Sequence, residues 1–286
     1  MAASGVKGGA EACVRLCDAD VMIGSHVALV TGANQGIGAA TAMALGRRGV
    51  AVLVTFYRPG DDAGQEEAYN RARRGDASDV VAAVESAGGR AHAVEADLAD
   101  PASAATLFDA AEERLGPVDI LVNNASGWVQ DTFKPAATDR FGRPMRPVGA
   151  ETFQRQFAVD AMAPALLIAE FSRRHVARGD TWGRIVGLTS GSQHGFPEEV
   201  SYGAAKAAQE NYTMSASAEL APYGVTANTV YPPVTDTGWV TDEVRAAVAA
   251  SSDHTHVASP EEVADVIAWM VSEEAKLLTG SIVRLR

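Results

Sequence analysis

From Val27 to Leu285, short β-branched or apolar runs alternate with longer Ala-rich amphipathic stretches, and no repeat of fixed period interrupts them. That alternation is the pattern of βαβ units wound around a parallel sheet. Strands are predicted near His26 to Thr31, Ala51 to Phe56, Ala91 to Glu95, Val118 to Val122, Arg184 to Thr189, Val225 to Val230 and Ser281 to Leu285. Their unbroken apolar runs suit strands covered on both faces. Helices are predicted near Gly36 to Arg48, Ala77 to Ala87, Ala102 to Leu115, Glu151 to Ala177, Ser201 to Tyr223 and Pro260 to Ser272. Gly49, Gly88, Gly116, Gly179 and Gly224 stand where helix C-terminal glycines belong. The expected fold class is therefore α/β, a doubly wound, mostly parallel seven-stranded sheet with helices on both faces.

Two stretches break the rhythm. Arg58 to Asp76 is rich in Gly, Asp and Arg, and Gly127 to Gly149 holds Pro135, Pro144 and Pro147. Long loops inside compact domains usually serve function, and the second is read as a substrate loop, together with residues 232–256. Residues 1–25 read as a flexible extension and residues 26–286 as one domain. Met22, just ahead of the first strand, is a natural alternative start of translation.

Composition narrows the function classes. The chain has 286 residues, 47% hydrophobic and 21% charged, with a formal net charge of −12. Disorder needs fewer apolar residues, and a membrane span needs about 20 in a row, far more than the run near Ala161 to Ala169. An acidic chain without a Lys/Arg stripe is not expected to bind nucleic acid, so any bound anion must be held locally. The only cysteines, Cys13 and Cys17, exclude a disulfide framework and fit a reducing cytoplasm. Residues 1 to 20 carry five charged side chains and no apolar core, so no secretory signal is expected.

The first strand runs into TGANQGIG, Thr31 to Gly38, and then into a helix. Gly32 can take backbone angles forbidden to other residues, Gly36 lets the backbone approach a pyrophosphate, and Gly38 lets helix and strand pack closely. The free N–H groups and dipole of that helix supply positive potential that the net charge does not. A dinucleotide fold places an acid about 20 residues on when the nucleotide is unphosphorylated. Here the corresponding residues are Thr55, Phe56, Tyr57 and Arg58, and Arg58 can hold a 2′-phosphate through paired N–H donors. NADP(H) is thus favoured, with NAD(H) as the alternative, since Gln35 is no base and Asp61 and Asp62 follow closely.

SYGAAK sets Tyr202 and Lys206 four residues apart on one helix face. With six tyrosines and four lysines in the chain, chance places about 0.08 such pairs. An unperturbed phenol, with a pKa of about 10, is a poor acid-base catalyst at neutral pH. One positive charge at about 5 Å, in an effective dielectric of about 20, is worth about 3 kcal/mol, or roughly two pKa units toward phenolate. Ser190, Gly191 and Ser192 follow the strand ending at Thr189, and a serine hydroxyl there can hydrogen-bond a carbonyl oxygen. His194 reads as a rim residue, and no His stands where a serine hydrolase needs its base.

Taken in order, these residues resemble the short-chain dehydrogenase/reductase family, over nearly everything from Val27 to Val283. TGANQGIG matches its TGxxxGxG, Asp97 and Leu98 its adenine-side DL, and Asn123, Asn124 and Ala125 the start of its NNAG. Ser190, Tyr202, Lys206 and the segment Pro232 to Thr237 follow. The whole is similar to the 3-oxoacyl-carrier-protein-reductase-like branch, above all in Pro233 to Trp239. The resemblance implies a single-domain Rossmann fold in which Tyr202 donates a proton to the carbonyl oxygen as hydride arrives, and Ser190 holds that oxygen. Lys206 would bind the nicotinamide ribose and lower the Tyr202 pKa, with Thr237 beside the carboxamide. It also implies a homotetramer or homodimer built through the two long helices, and a small-molecule carbonyl or alcohol substrate.

The expected catalytic set is Ser190, Tyr202, Lys206 and Asp160. The expected cofactor set is Gly32, Asn34, Gln35, Gly36, Ile37, Gly38, Tyr57, Arg58, Asp97, Leu98, Asn124, Ala125, Ser126, Tyr202, Lys206, Pro232, Val234 and Thr237. No metal site is expected. Three residues depart from the family pattern. Asp160 stands where the family has Asn, and its carboxylate can either hold a relay water or pair with Lys206 and blunt its effect on Tyr202. Ser126 replaces the last Gly of NNAG, and Pro233 the Gly of Pro-Gly. The chain also stops at Arg286, where relatives continue into an Asp-Gly-Gly tail. Trp128, Phe133, Phe141, Met145, Phe196 and Trp239 are expected as apolar pocket walls suited to a hydrophobic ketone. A non-catalytic dinucleotide sensor on the same fold is the alternative; a Rossmann methyltransferase gives Tyr202 and Lys206 no role.

Overall fold

A computed structural model describes residues 23–24, 26–58, 74–191, 195–253 and 255–286. All but residues 23–24 of the expected N-terminal extension, with Cys13, Cys17 and Met22, most of the first insertion, and Ser192 and His194 lie outside the described residues. Seven parallel strands form one sheet in the spatial order β3-β2-β1-β4-β7-β8-β9. They are β1 (Val27–Val30), β2 (Ala51–Phe56), β3 (Ala91–Glu95), β4 (Ile120–Asn123), β7 (Gly183–Leu188), β8 (Val225–Tyr231) and β9 (Ile282–Arg284). All four residues of β1 and of β4, and all six of β2 and of β7, are buried, which is why these strands read as continuous apolar runs. Val30 pairs with Val54 on one side and Val122 on the other, so register is fixed on both flanks of the central strand.

The helices are α1 (Gly36–Arg47), α2 (Ser78–Ser86), α3 (Ser103–Arg114), α4 (Ala150–Phe157), α5 (Ala163–Arg178), α6 (Val200–Glu219), α7 (Asp242–Ala249) and α8 (Pro260–Met270). Alternate strand residues feed two cores. Val30, Val54, Val122 and Ile267 lie in the layer holding α1 and α8, whereas Leu29, Leu53, Phe108, Leu121 and Phe171 lie in the layer of α3 and α5. The strand order reverses between β1 and β4, and such a switch point opens a crevice at the carboxyl ends of the strands.

Two expectations change. The helix expected over Glu151 to Ala177 is interrupted by a π-helical turn, Ala158–Met162, between α4 and α5. Pro164 explains it: proline has no N–H to give the carbonyl of Asp160 four residues back, and its ring crowds that carbonyl, so the helix widens there. Residues 232–256, expected as loop, contain α7, whose N-cap Thr241 accepts a hydrogen bond from the Val244 N–H. The loop from 127 to 149 is also partly ordered by short parallel strands β5 (Asp131–Thr132) and β6 (Arg146–Pro147). Among the described residues no helix is long and apolar enough to cross a membrane, and no group of three His, Cys, Asp or Glu is placed to hold a metal.

Candidate active site

A cleft of about 600 Å³ runs along the carboxyl ends of the strands. Its floor is the turn after β1, Gly32 and Asn34 to Ile37. Thr55 and Phe56 end β2 and Tyr57 follows it; Asp97 and Leu98 follow β3; Asn124, Ala125, Ser126 and Gly127 follow β4. Leu188 and Thr189 end β7, Tyr202 and Lys206 project from α6, and Pro232 and Thr237 close the far end. Fifteen of the expected site residues thus share one crevice: Gly32, Asn34, Gln35, Gly36, Ile37, Tyr57, Asp97, Leu98, Asn124, Ala125, Ser126, Tyr202, Lys206, Pro232 and Thr237.

The glycine turn is held from behind. Thr31 Oγ1 accepts the N–H groups of Asn124 and Ala125, each at 3.0 Å, and Asn124 Nδ2 donates to the carbonyls of Thr31 and Gly32 at 2.8 and 2.9 Å. Gly36 has φ +56°, and a Cβ there would stand 2.9 Å from Thr237 Cγ2. Gly38 lies behind the floor, where a Cβ would meet the Gly32 carbonyl oxygen at 2.4 Å and Asn124 Nδ2 at 2.5 Å. A turn this tight, opening onto the N-terminus of α1, fits a dinucleotide pyrophosphate, because its donors are backbone N–H groups and Gly32 and Gly36 present no Cβ to it.

Lys206 Nζ lies 3.0 Å from Asp160 Oδ1, both side chains being almost wholly buried, and 5.7 Å from the centroid of the Tyr202 ring. Of the two arrangements open to Asp160, the structure has the ion pair. The other carboxylate oxygen accepts the Gly127 N–H at 2.8 Å and Gln156 Nε2 at 2.6 Å. Gln156 Oε1 accepts the Val129 N–H at 2.7 Å, Lys206 donates to Gln209 Oε1 at 3.0 Å, and Gln209 Nε2 donates to the Asn123 carbonyl at 3.0 Å. A buried polar chain therefore runs from the substrate loop through Gln156, Asp160, Lys206 and Gln209 to the end of β4. Gln156 and Gln209 were not singled out in the sequence, although each is a polar residue three or four positions from a site residue on a helix.

Arg58, Ser190, Val234, Gly38 and Asp160 do not line the cleft. Arg58 is about half exposed and engages Glu95 across β2 and β3, with Nε 3.1 Å from both carboxylate oxygens and Nη2 in a closer contact. The Arg58 hydrogen bonds hold the Glu95 carboxyl below the usual carboxylate range. Ser190 directly follows cleft-lining Thr189, in a turn pinned by the Tyr231 hydroxyl, which donates to the Gly191 carbonyl. Arg155, not expected, lines the cleft beside Val159. Ser126, in place of the family's Gly, accepts the Trp128 N–H at 3.1 Å and tightens that turn.

The Arg143 guanidinium carbon lies 5.8 to 6.0 Å from the ring centroids of Trp128, Phe141 and Trp239, so three of the expected wall residues stand together around one cation, although none of the three is among the residues that line the cleft. Phe196 packs 6.0 Å from the Tyr202 ring, and Met145 is buried. Phe133 is a correction: it is 78% exposed, because it lies just beyond the two buried residues of β5, and forms no wall. Burial pushes the Glu199 carboxyl up, against the hydrogen bond from Trp128 Nε1.

A crevice at the sheet's switch point, a glycine cradle at one end and a Tyr-Lys pair at the other define a nucleotide-dependent oxidoreductase. A family profile described as short chain dehydrogenase matches residues 26–247, and the chain belongs to the short-chain dehydrogenase/reductase family, whose enzymes interconvert CH–OH and carbonyl groups with NAD(P). It is 36% identical over 262 residues to cis-4-hydroxycyclohexanecarboxylate dehydrogenase of Sinomonas cyclohexanicum, covering 90% of this chain and 93% of the relative. It is 33% identical to the uncharacterized oxidoreductase YjdA of Bacillus subtilis (strain 168), covering 90% and 94%. Among solved structures, the angucycline C-6 ketoreductase LanV with bound NADP superposes with a TM-score of 0.73 at 32% identity, covering 92% of this chain and 95% of that one.

Proposed function

We propose that the chain is an NADP(H)-dependent reductase of cyclic ketones, or in reverse a dehydrogenase of the secondary alcohols, with Tyr202 as general acid and base. The observation that carries this reading is the Lys206 ammonium 5.7 Å from the Tyr202 ring, at the edge of a cleft whose other end is a pyrophosphate cradle. The bound nicotinamide supplies or accepts the hydride. In reduction Tyr202 gives its phenolic proton to the oxygen that becomes the alcohol, and Ser190 donates a hydrogen bond to the same oxygen. In oxidation the phenolate takes that proton back, and the charge of Lys206 favours phenolate. Thr31 and Asn124 keep the cradle preorganised, so little ordering accompanies nucleotide binding.

NADP(H) over NAD(H) is supported by Tyr57 and Arg58, rather than a carboxylate, directly after β2 and by the NADP in the related ketoreductase. Arg58 takes the 2′-phosphate once it leaves Glu95. A cyclic substrate is supported by two relatives named for cyclic substrates. Exposed Phe153 on α4 and Tyr212 on α6 support assembly into a homodimer or homotetramer through the long helices. The test is titration of the protein with NADPH and, separately, NADH, followed by quenching of its four tryptophans. Selective NADPH binding is expected, and Tyr202→Phe is expected to keep it while losing about 100-fold or more in ketone reduction. Binding of neither nucleotide overturns the reading.

A further inference from the structure

Asp131, in β5, is an acid that the proposed reaction does not use. Its side chain is fully buried, and its carboxylate accepts two hydrogen bonds from Ser201: the backbone N–H at 2.8 Å and the hydroxyl. Ser201 is the second residue of α6 and precedes Tyr202. The N-cap residue of α6, Glu199, gives the helix no side-chain cap. Its carboxylate instead accepts Trp128 Nε1 at 3.0 Å and Arg143 Nη2 at 3.3 Å. Lys134 Nζ reaches Glu198 at 2.9 Å, and Glu198 holds a left-handed φ of +71°. The substrate loop therefore grips residues 198, 199 and 201, immediately ahead of the tyrosine. Asp131 is in turn fixed by the β5–β6 pairing, through Arg146 N–H to the Gln130 carbonyl and Val148 N–H to the Thr132 carbonyl, each at 3.1 Å.

A carboxylate in a dry interior is unfavourable unless hydrogen bonds and an opposing field compensate it, and the N-terminus of α6 supplies both. An apolar side chain would fill the same space without that penalty, so the acid's contribution lies in what it holds. We propose that Asp131 is a positioning residue for Tyr202, fixing the first turn of α6 to the substrate loop so that the phenol stands in register with Lys206 and the cleft. The proposal rests on the reading of Tyr202 as acid and base. It couples the loop that meets the ketone to the group that protonates it.

The test is steady-state reduction of cyclohexanone by NADPH with Asp131→Ala, Asp131→Asn, Ser201→Ala and Tyr202→Phe. A displacement of about 1 Å at a reacting group costs about 100-fold, so Asp131→Ala is expected to lose about 10- to 100-fold in kcat. The KM for cyclohexanone and the Kd for NADPH should stay within about twofold, and Asn, whose carbonyl still accepts the Ser201 N–H, should restore most of the rate. A kcat within about threefold of wild type, a loss carried by KM or NADPH binding, or an Asn variant no better than Ala overturns the proposal. Should Asp131→Ala fail to fold, Ser201→Ala decides: a kcat loss beyond about threefold at unchanged KM supports the positioning role, and a wild-type kcat overturns it. Turnover surviving in Tyr202→Phe removes the acid-base reading and the proposal with it. An inert Tyr202→Phe beside an unimpaired Asp131→Ala removes the proposal alone.

Discussion

Replacing Asp160 with Asn separates the charge of Lys206 from that of its buried partner. Lys206 Nζ stands 5.7 Å from the centre of the Tyr202 ring. At an effective dielectric of about 20, a unit charge at that distance is worth about 3 kcal/mol, or roughly two pKa units toward phenolate. Asp160 Oδ1 is 3.0 Å from the ammonium, so even in the most distant arrangement it lies only about 9 Å from the ring, and it opposes the ammonium with about 2 kcal/mol. The pair together leaves about 1 kcal/mol in favour of phenolate, less than one pKa unit. Asp160→Asn keeps an acceptor for the Gly127 N–H and removes the opposing charge, so the phenol should titrate lower by about one unit or somewhat more. The readout is tyrosinate absorbance in ultraviolet difference spectra against Tyr202→Phe, with the pH profile of kcat for alcohol oxidation beside it. The alkaline-rising limb of that profile should move to lower pH by the same amount. A limb that stays within about 0.3 units of wild type refutes the charge argument. A limb that moves upward refutes it as well, since that requires the positive charge at Lys206 to vanish with its partner.

Gly38→Ala brings a Cβ to 2.4 Å from the Gly32 carbonyl oxygen, so the cradle must shift; NADPH affinity should fall about 10-fold or more in tryptophan quenching, and the thermal midpoint should fall with it. Glu95→Gln releases Arg58 from its charged partner and should tighten NADPH relative to NADH by a few-fold; an unchanged ratio of the two dissociation constants removes Arg58 from the 2′-phosphate. Hydrogen bonds from Arg173, with Arg174 adding to them, pull the Glu170 carboxyl from 4.5 down to about 2. A depressed carboxylate stabilises the fold above its unfolded pKa and loses that contribution as pH falls through the folded value. Glu170→Gln should therefore lower the denaturant midpoint at pH 7 and flatten its decline between pH 4.5 and about 2, relative to wild type.

The sheet was legible because parallel strands buried on both faces leave an unmistakable signature: Ala51 to Phe56 is the same six residues in sequence and structure. The cofactor end of the cleft was equally legible, since turn chemistry and spacing place Gly32 to Ile37 without reference to distant residues. Less visible was anything that depends on which strands become neighbours. Arg58 meets Glu95 because β2 pairs with β3 so that Phe56 lies opposite Glu95, 39 positions on in the chain. Asp131 meets Ser201 across an even longer separation, 70 residues. Helix α7 escaped because only Val244 and Val248 of its eight residues are buried, too few to imprint a period. The π turn escaped because it spans only five residues, Ala158–Met162, too few for hydrophobic periodicity to register a change of phase.

That turn makes the Asp160–Lys206 contact a matter of helical phase. Each residue added to or removed from an α-helix rotates everything beyond it by about 100°, and a π turn accommodates one residue more than an α turn does. Deleting a single alanine from Ala158–Met162 would straighten α4 into α5 and swing one against the other, taking either Gln156 or the packing face of Leu167 and Phe171 out of place. A carboxylate grafted at the matching position of a relative with an uninterrupted helix would then point along a different azimuth from the lysine. The acid beside Lys206 is written in the chain twice, once as Asp160 and once as the proline four residues after it.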